Sequence, residues 1–143
     1  MAGMHAALPI VVVIVSAVVY HLAQKSAGSA TSPWPLLALA YGAAFVITVA
    51  LALATSDDAL RMPTRSERAA AVLIGVAALG IEAGFFFTYR AGWPLASASV
   101  VGNVSTTIVL ALIGVIALGE HLTTGRAAGI AFAAAGAWLI VRR

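Results

Sequence analysis

Five long apolar segments, separated by short polar stretches, make up most of this chain. A hydrocarbon core of about 30 Å is crossed by roughly 20 helical residues, so each segment is long enough, or nearly long enough, to span a bilayer. Only helices and closed barrels satisfy their backbone hydrogen bonds in lipid, and these segments lack the polar–apolar alternation of barrel strands. The sequence therefore predicts an all-α membrane protein whose five transmembrane helices cover residues 8–24, 34–55, 68–89, 95–118 and 125–141.

The composition excludes a water-soluble domain. Of 143 residues, 62% are hydrophobic and only 9% are charged, whereas about 25% are charged in an ordinary soluble domain. The net charge is +3, but the basic residues are scattered singly or stand at segment ends. This pattern indicates anchoring at the lipid interface and argues against nucleic-acid binding. The length permits a single domain over residues 1–143.

Two absences add further expectations. The chain has no cysteine, so we expect neither a disulfide nor thiolate chemistry. No lysine or arginine precedes the first apolar run, which is unlike the basic start of a secretory signal. We therefore expect the first helix to be retained.

The polar connections carry signals for helix ends. "TRSE", from Thr64 to Glu67, has the pattern of a capping box that opens the third helix. Gly119 suits the end of the fourth helix, and either Thr123 or Thr124 suits the N-cap of the fifth. These signals place helix boundaries inside the 56–68 and 119–125 connections.

The basic residues are divided evenly between the two sides of the membrane. Five spans place the N-terminus, the 56–68 loop and the 119–125 turn on one side, here called side A, and the other connections and the C-terminus on side B. Side A carries Arg61, Arg65, Arg68 and Arg126, and side B carries Lys25, Arg90, Arg142 and Arg143. The positive-inside rule acts on the difference. Either one arrangement prevails through the arginines of the 56–68 loop, or the chain inserts in both orientations.

The C-terminal third has a distinctive order of features. An aromatic and small-residue turn is followed by an Ala/Ser-rich helix, the phrase "LGEHLTTGRAAG" and a last helix with spaced glycines, Gly129 and Gly136. This order resembles the end of a repeat of the EamA type from the drug/metabolite transporter superfamily. "YHLAQKSAGSATSPWPLLALAYG" is similar to the Lys-ended first helix and Pro-entered second helix of such a repeat. The resemblance covers most of the chain and implies one five-helix repeat, a half-transporter, where usual members carry two repeats.

The chain also resembles the small multidrug resistance proteins in its first, second, fourth and fifth segments. Those relatives are antiparallel homodimers with a coupling glutamate in the first helix, whereas the first helix here contains no acid. The resemblance implies a small-solute transporter assembled from two copies around a shared site. Together with the balanced charges, it leads us to expect an antiparallel, dual-topology homodimer. We expect a multi-pass protein of the inner (plasma) membrane that transports a small organic solute with ion or proton coupling. The alternative is a half-transporter subunit, or a non-transporting scaffold, that requires a different partner.

Glu82, in "LGIEAGFFFTYR", is the only acid inside any of the five segments. An ionisable group this deep costs about 2.5–3.5 kcal/mol on insertion scales, so it usually faces a cavity or a partner. We interpret Glu82 as a site of ion or proton coupling. The structural alternative is a hydrogen bond or ion pair to a neighbouring helix, formed with Lys25, His21 or Arg90.

Five further polar residues are candidates for the solute path. Tyr20 and Gln24 lie one turn apart near the end of the first helix, with His21 beside them. Tyr41 and Asn103 lie within the second and fourth helices. The alternative is that these residues only join helices through hydrogen bonds, which are worth about 0.6 kcal/mol each in a membrane.

The aromatic residues cluster toward side B, which predicts where the solute binds. We expect a cavity that is open toward side B and closed toward side A, with Glu82 near its floor. Its wall is expected to contain Tyr20, Tyr41 and Asn103. Aromatic faces in such a wall suit an organic cation or a flat apolar solute.

No set of residues indicates an enzyme. The sequence shows no metal-ligand spacing, no phosphate-binding loop and no convincing nucleophile–base set. We therefore expect no enzymatic activity, no metal and no cofactor.

Overall fold

The structure is a computed structural model, and it describes residues 2–27, 32–55 and 61–142. These residues form helices and no strand. The helices are α1 (Ala2–Ser26), α2 (Pro33–Thr55), α3 (Arg65–Arg90), α4 (Leu95–Leu118) and α5 (Thr124–Val141). All five are long and apolar enough to cross a membrane. The prediction of an all-α membrane protein is confirmed.

Two helices begin three or more residues earlier than the apolar pattern indicated. α1 begins at Ala2 rather than near residue 8, because alanine and methionine before the apolar run favour helix strongly. α3 begins at Arg65, directly after Thr64, the first residue of the expected capping box. The Thr64 backbone N–H donates to the Glu67 carboxylate at 2.6 Å, and the Glu67 N–H donates to Thr64 Oγ1 at 3.3 Å. The capping box is therefore confirmed, and it adds a polar turn to the start of α3.

The connection between α4 and α5 also follows its sequence signals. Gly119 has φ +66°, a left-handed conformation that favours glycine, and it ends α4 as expected. The next N–H, of Glu120, donates to the Gly114 carbonyl at 2.9 Å. Thr123, the first of the two threonine candidates, is the N-cap of α5, since its Oγ1 accepts a hydrogen bond from the Arg126 N–H at 3.3 Å.

The chain divides into two compact units, which are described separately. Unit one consists of residues 1–26 and 88–143, and unit two consists of residues 27–87. In unit one, α4 packs against both α5 and α1. Unit two contains α2 and most of α3.

Large apolar side chains are exposed along all five helices. Ile116 is 81% exposed, Phe132 79% and Leu39 74%. Surfaces of this kind are unfavourable in water but are solvated by lipid tails, which are as apolar as leucine. The few buried side chains are therefore informative about where helices contact one another. Gln24, Tyr89, Ser97, Ala98 and Ala137 are buried in unit one, and Leu37 and Phe86 are buried in unit two.

Candidate functional site

In unit one, the last turns of α1 contact the end of α3 and the turn that follows it. The Tyr89 hydroxyl and His21 Nδ1 lie 2.9 Å apart and share a hydrogen bond whose direction depends on the histidine tautomer. Lys25 Nζ donates to the Trp93 carbonyl at 2.8 Å and lies 5.7 Å from the centre of the Tyr89 ring. Gly92, with φ +90°, forms the turn that presents this carbonyl. Two side chains of α1 thus hold the α3–α4 turn in place.

Two of the residues that the sequence suggested as partners of Glu82 form contacts within unit one. Lys25 binds a backbone carbonyl, and His21 binds a tyrosine hydroxyl. The sequence analysis did not single out Tyr89, although it is only 6% exposed and takes part in both contacts. Its position just before the tight turn is the sequence feature that could have identified Tyr89 as a contact residue.

Tyr20 and Gln24 lie beside this cluster on α1. Gln24 Nε2 donates to the Tyr20 hydroxyl at 3.3 Å, across the one-turn spacing that the sequence predicted. Gln24 is only 7% exposed, and the Tyr20 and His21 rings meet edge to face at 5.0 Å. Tyr20, His21 and Gln24 therefore form one polar cluster near the end of α1.

In unit two, Glu82 lies close enough to Tyr41 for an electrostatic interaction between them. Both side chains are partly buried. The Tyr41 hydroxyl oxygen is buried and has no hydrogen-bond partner among the described residues. A buried hydroxyl without a partner is unfavourable, so this position is suited to a hydrogen bond with a water molecule or a solute.

Aromatic side chains lie near this pair in the same unit. Trp34 and Phe87 meet edge to face at 6.5 Å, and Phe86 meets Phe87 at 5.8 Å. Phe86 is 2% exposed, whereas Phe87 is 48% exposed. Unit two therefore brings together aromatic rings, a free phenol hydroxyl and an acid.

Asn103 lies on α4 in unit one, and its side chain is exposed. The hydroxyl groups nearby bind their own helix. Thr107 Oγ1 donates to the Asn103 carbonyl at 2.8 Å, and Ser99 Oγ donates to the Leu95 carbonyl at 2.9 Å. Of the six candidate residues, the structure joins Tyr20, His21 and Gln24 in unit one and Tyr41 with Glu82 in unit two.

A groove between α4 and α5, which the sequence analysis missed, lies in unit one. We call it the α4–α5 groove; its volume is about 400 Å³. Its floor consists of Thr107, Ala111, Val115, Gly129, Ile130 and Ala133. Its polar end consists of Glu120, His121 and Arg126, with Leu122 among them. This end lies on side A. The groove does not test the predicted cavity around Glu82, because Glu82 belongs to unit two. The small residues that open the groove gave no distinct signal, because alanine and glycine are abundant throughout the chain.

In the part of the chain that the structure describes, no group of three or more His, Asp or Glu side chains could hold a metal ion.

Comparison with known proteins gives the family. Curated proteins and solved structures gave no significant match. A family model described as the EamA-like transporter family matches residues 4–142. The match includes all five membrane-spanning helices, the clusters around His21 and Glu82 and the α4–α5 groove. The chain is therefore a multi-pass integral membrane protein that belongs to the EamA-like transporter family, whose members are membrane transporters of small solutes.

Proposed function

We propose that this protein transports a small organic solute with proton or ion coupling, and that Glu82 is the coupling residue. The observation that carries the proposal is the pair formed by Glu82 and Tyr41. Glu82 is the only acid within the apolar part of any span, and it interacts with a tyrosine whose buried hydroxyl has no hydrogen-bond partner among the described residues.

The energetics favour a functional role for this acid. Placing a carboxyl group inside a span costs about 2.5–3.5 kcal/mol on insertion scales. The buried Tyr41 hydroxyl leaves hydrogen-bonding capacity beside the acid. Such capacity suits a site that alternately holds a proton and a solute.

The surroundings support an aromatic or cationic solute. Trp34, Phe86 and Phe87 supply ring faces and edges in the same unit as Glu82. Ring faces attract organic cations, and an acid nearby adds charge complementarity. In this scheme Tyr20, His21, Gln24 and Asn103 line the solute path, and the protein acts in the inner or plasma membrane without an enzymatic step.

We further propose an antiparallel homodimer as the working form. Five spans with equal numbers of basic residues on the two sides favour insertion in both orientations. Two inverted copies around a shared site are a common architecture for alternating access. The cavity toward side B, with Glu82 near its floor, then belongs to the site that two copies share.

The test is transport by the purified protein in liposomes. Tetraphenylphosphonium, an aromatic organic cation, is the first solute, and neutral aromatic and aliphatic solutes are measured beside it. We expect a pH gradient to drive uptake of at least one of them. Glu82→Gln retains the fold, because the amide has the same volume and still forms hydrogen bonds, but it abolishes the response to the gradient.

Glu67→Gln is the matched control. Glutamine preserves the capping box at the start of α3, so this variant should respond to the gradient as the unaltered protein does. An unchanged response in Glu82→Gln would reduce Glu82 to a structural role. If the protein transports no solute alone but transports one together with a second subunit, the alternative of a half-transporter subunit would be favoured.

A further inference from the structure

The α4–α5 groove has the depth of one leaflet of a bilayer. From Thr107 to the end of α4 at Leu118 the helix rises about 16 Å, and half of a hydrocarbon core is about 15 Å. The floor of the groove is apolar apart from Thr107, whose hydroxyl already binds the Asn103 carbonyl. The groove thus runs from the membrane surface toward the middle of the membrane.

Opposite charges stand at the surface end of the groove. Glu120 and Arg126 both line it, with His121 between them in sequence. Among the described residues, these two side chains form neither an ion pair with each other nor a hydrogen bond to another group. One anion and one cation are therefore available to the same bound molecule.

Helix stability does not explain the position of Arg126. It lies in the first turn of α5, three residues after the N-cap Thr123. The helix dipole favours negative charge at this end, so a cation here is slightly unfavourable. A phosphate group bound by Arg126 would be stabilised both by the guanidinium and by the N-terminus of α5.

The Glu120 side chain lies against α4 at Gly114, in space that a larger residue at position 114 would occupy. A methyl group added to Gly114 would lie 2.8 Å from Glu120 Oε2. The absence of a side chain at Gly114 therefore lets the carboxylate fold back against α4 and into the groove. This places the carboxylate close to α4 at the end of the groove, while Glu120 as a whole stays exposed.

We propose that the α4–α5 groove binds a phospholipid whose zwitterionic headgroup carries a primary ammonium. Arg126 binds the lipid phosphate, Glu120 accepts hydrogen bonds from the ammonium, and one acyl chain lies along the floor from Val115 toward Thr107. Both charges of the headgroup then meet their opposites, and the acyl chain fills a groove with the depth of its leaflet.

A lipid fits this groove better than a transported solute does. Its residues lie on the lipid-exposed helices α4 and α5, where Leu112, Ile116 and Phe132 are largely exposed. A phospholipid reaches such a groove from within the bilayer and matches it in length, in apolarity and in the position of its charges. A water-soluble solute would leave the apolar floor uncovered.

Binding is measured by native mass spectrometry of the purified full-length protein with lipids that share the same acyl chains. Phosphatidylethanolamine is compared with phosphatidylcholine, which has no N–H donor, and with phosphatidylglycerol, which has no amine. We expect phosphatidylethanolamine to bind about tenfold more tightly than either, which corresponds to one charge-assisted hydrogen-bonded contact. Equal affinities for the three lipids would overturn the proposal.

Variants of the polar end test the two charges separately. Glu120→Gln should remove the preference over phosphatidylcholine, and Arg126→Gln should weaken binding of all three lipids about tenfold. Arg65→Gln is the control, because Arg65 is an exposed arginine expected on the same side of the membrane. This variant should bind all three lipids as tightly as the unaltered protein does. Unchanged binding in both groove variants would show that the headgroup lies elsewhere.

Variants of the floor and of Gly114 test the geometry. Ala133→Leu fills the floor and should weaken binding of all three lipids, whereas Ala135→Leu, two residues further along α5 and outside the groove lining, should not. Gly114→Ala should displace the Glu120 side chain and remove the ethanolamine preference without a loss of stability, because only the flexible end of that side chain must move. Equal effects of the Ala133 and Ala135 variants would contradict the assigned floor.

Two further measurements distinguish other occupants. Glycerophosphoethanolamine, which has the headgroup but no acyl chains, should not compete with the lipid; competition at similar concentrations would indicate a solute site. The chain has no natural cysteine, so Ala133→Cys is a unique label. Efficient disulfide formation between two copies at this position, with loss of lipid binding, would show that a second copy fills the groove.

Discussion

At the scale of single residues, Tyr41 is the most informative side chain in unit two. Its hydroxyl is buried without a partner among the described residues, beside the acid that we propose for coupling. An unsatisfied buried polar group costs about 1–3 kcal/mol. If Tyr41 had only a structural role, loss of its hydroxyl would make the protein more stable. Removal of the hydroxyl therefore tests directly whether the residue has a function.

Tyr41→Phe removes this hydroxyl and little else. We expect the stability of the purified protein to stay the same or to rise by about 1 kcal/mol, since an unsatisfied group is removed. Solute transport should fall at the same time. Thermal unfolding in detergent and uptake into liposomes measure the two effects. A loss of stability with full transport would show that the hydroxyl has a structural hydrogen bond.

Unlike the Tyr41 hydroxyl, the Tyr89 hydroxyl has a hydrogen-bond partner, His21 Nδ1. Tyr89→Phe should lower the free energy of unfolding by about 1 kcal/mol, since His21 Nδ1 loses its partner. A double-mutant cycle with His21→Leu isolates this interaction. If the two changes are additive, the hydrogen bond contributes nothing to stability.

At the scale of elements, α3 is longer than the membrane requires. Its 26 residues correspond to about 39 Å of helix, whereas the hydrocarbon core is about 30 Å thick. The surplus includes the polar first turn, where Glu67 also forms a 3.0 Å salt bridge with Arg61. The capping box thus stabilises a turn of α3 that lies at the membrane surface.

The N-cap of α5 allows a matched comparison of two adjacent threonines. Thr123→Ala removes the side chain that accepts a hydrogen bond from the Arg126 N–H, and we expect a loss of about 1 kcal/mol in stability. Thr124→Ala changes the first residue of the helix and should have little effect. Unfolding in detergent measures both variants. Equal losses would mean that Thr123 does not act as the cap.

At the scale of the whole molecule, orientation in the membrane is the property that the antiparallel dimer requires. The helix ends carry the basic residues that were counted in the sequence: Lys25 and Arg90 end α1 and α3, and Arg65 begins α3. With equal counts on the two sides, we expect that neither orientation is favoured by charge.

Reporter fusions at the C-terminus test this balance. We expect the unaltered protein to give signals from both sides of the membrane. Met62→Lys with Ser66→Lys should fix one orientation, and Ser26→Lys with Ala91→Lys should fix the opposite one, because two added charges tip a balanced chain. Signals from one side only in the unaltered protein would exclude the antiparallel homodimer and favour a parallel or heteromeric assembly.

The sequence by itself determined the features that depend on neighbours along the chain. Span length follows from local apolarity, so the five helices could be predicted from residues alone. Thr64 with Glu67, Gly119 and Thr123 were predictable for the same reason, because helix caps act within a few residues. The family could also be predicted, because the motifs that identify it are short stretches of contiguous sequence.

Only the tertiary structure decided which distant residues meet. Lys25 and Trp93, like His21 and Tyr89, are 68 positions apart, and no local pattern specified these pairs. The exposure of Asn103 and the opening of the α4–α5 groove depend on which faces of packed helices turn toward each other. In a chain where nearly every face is apolar, hydrophobic periodicity carries no such information, because lipid solvates an apolar face as well as a neighbouring helix does.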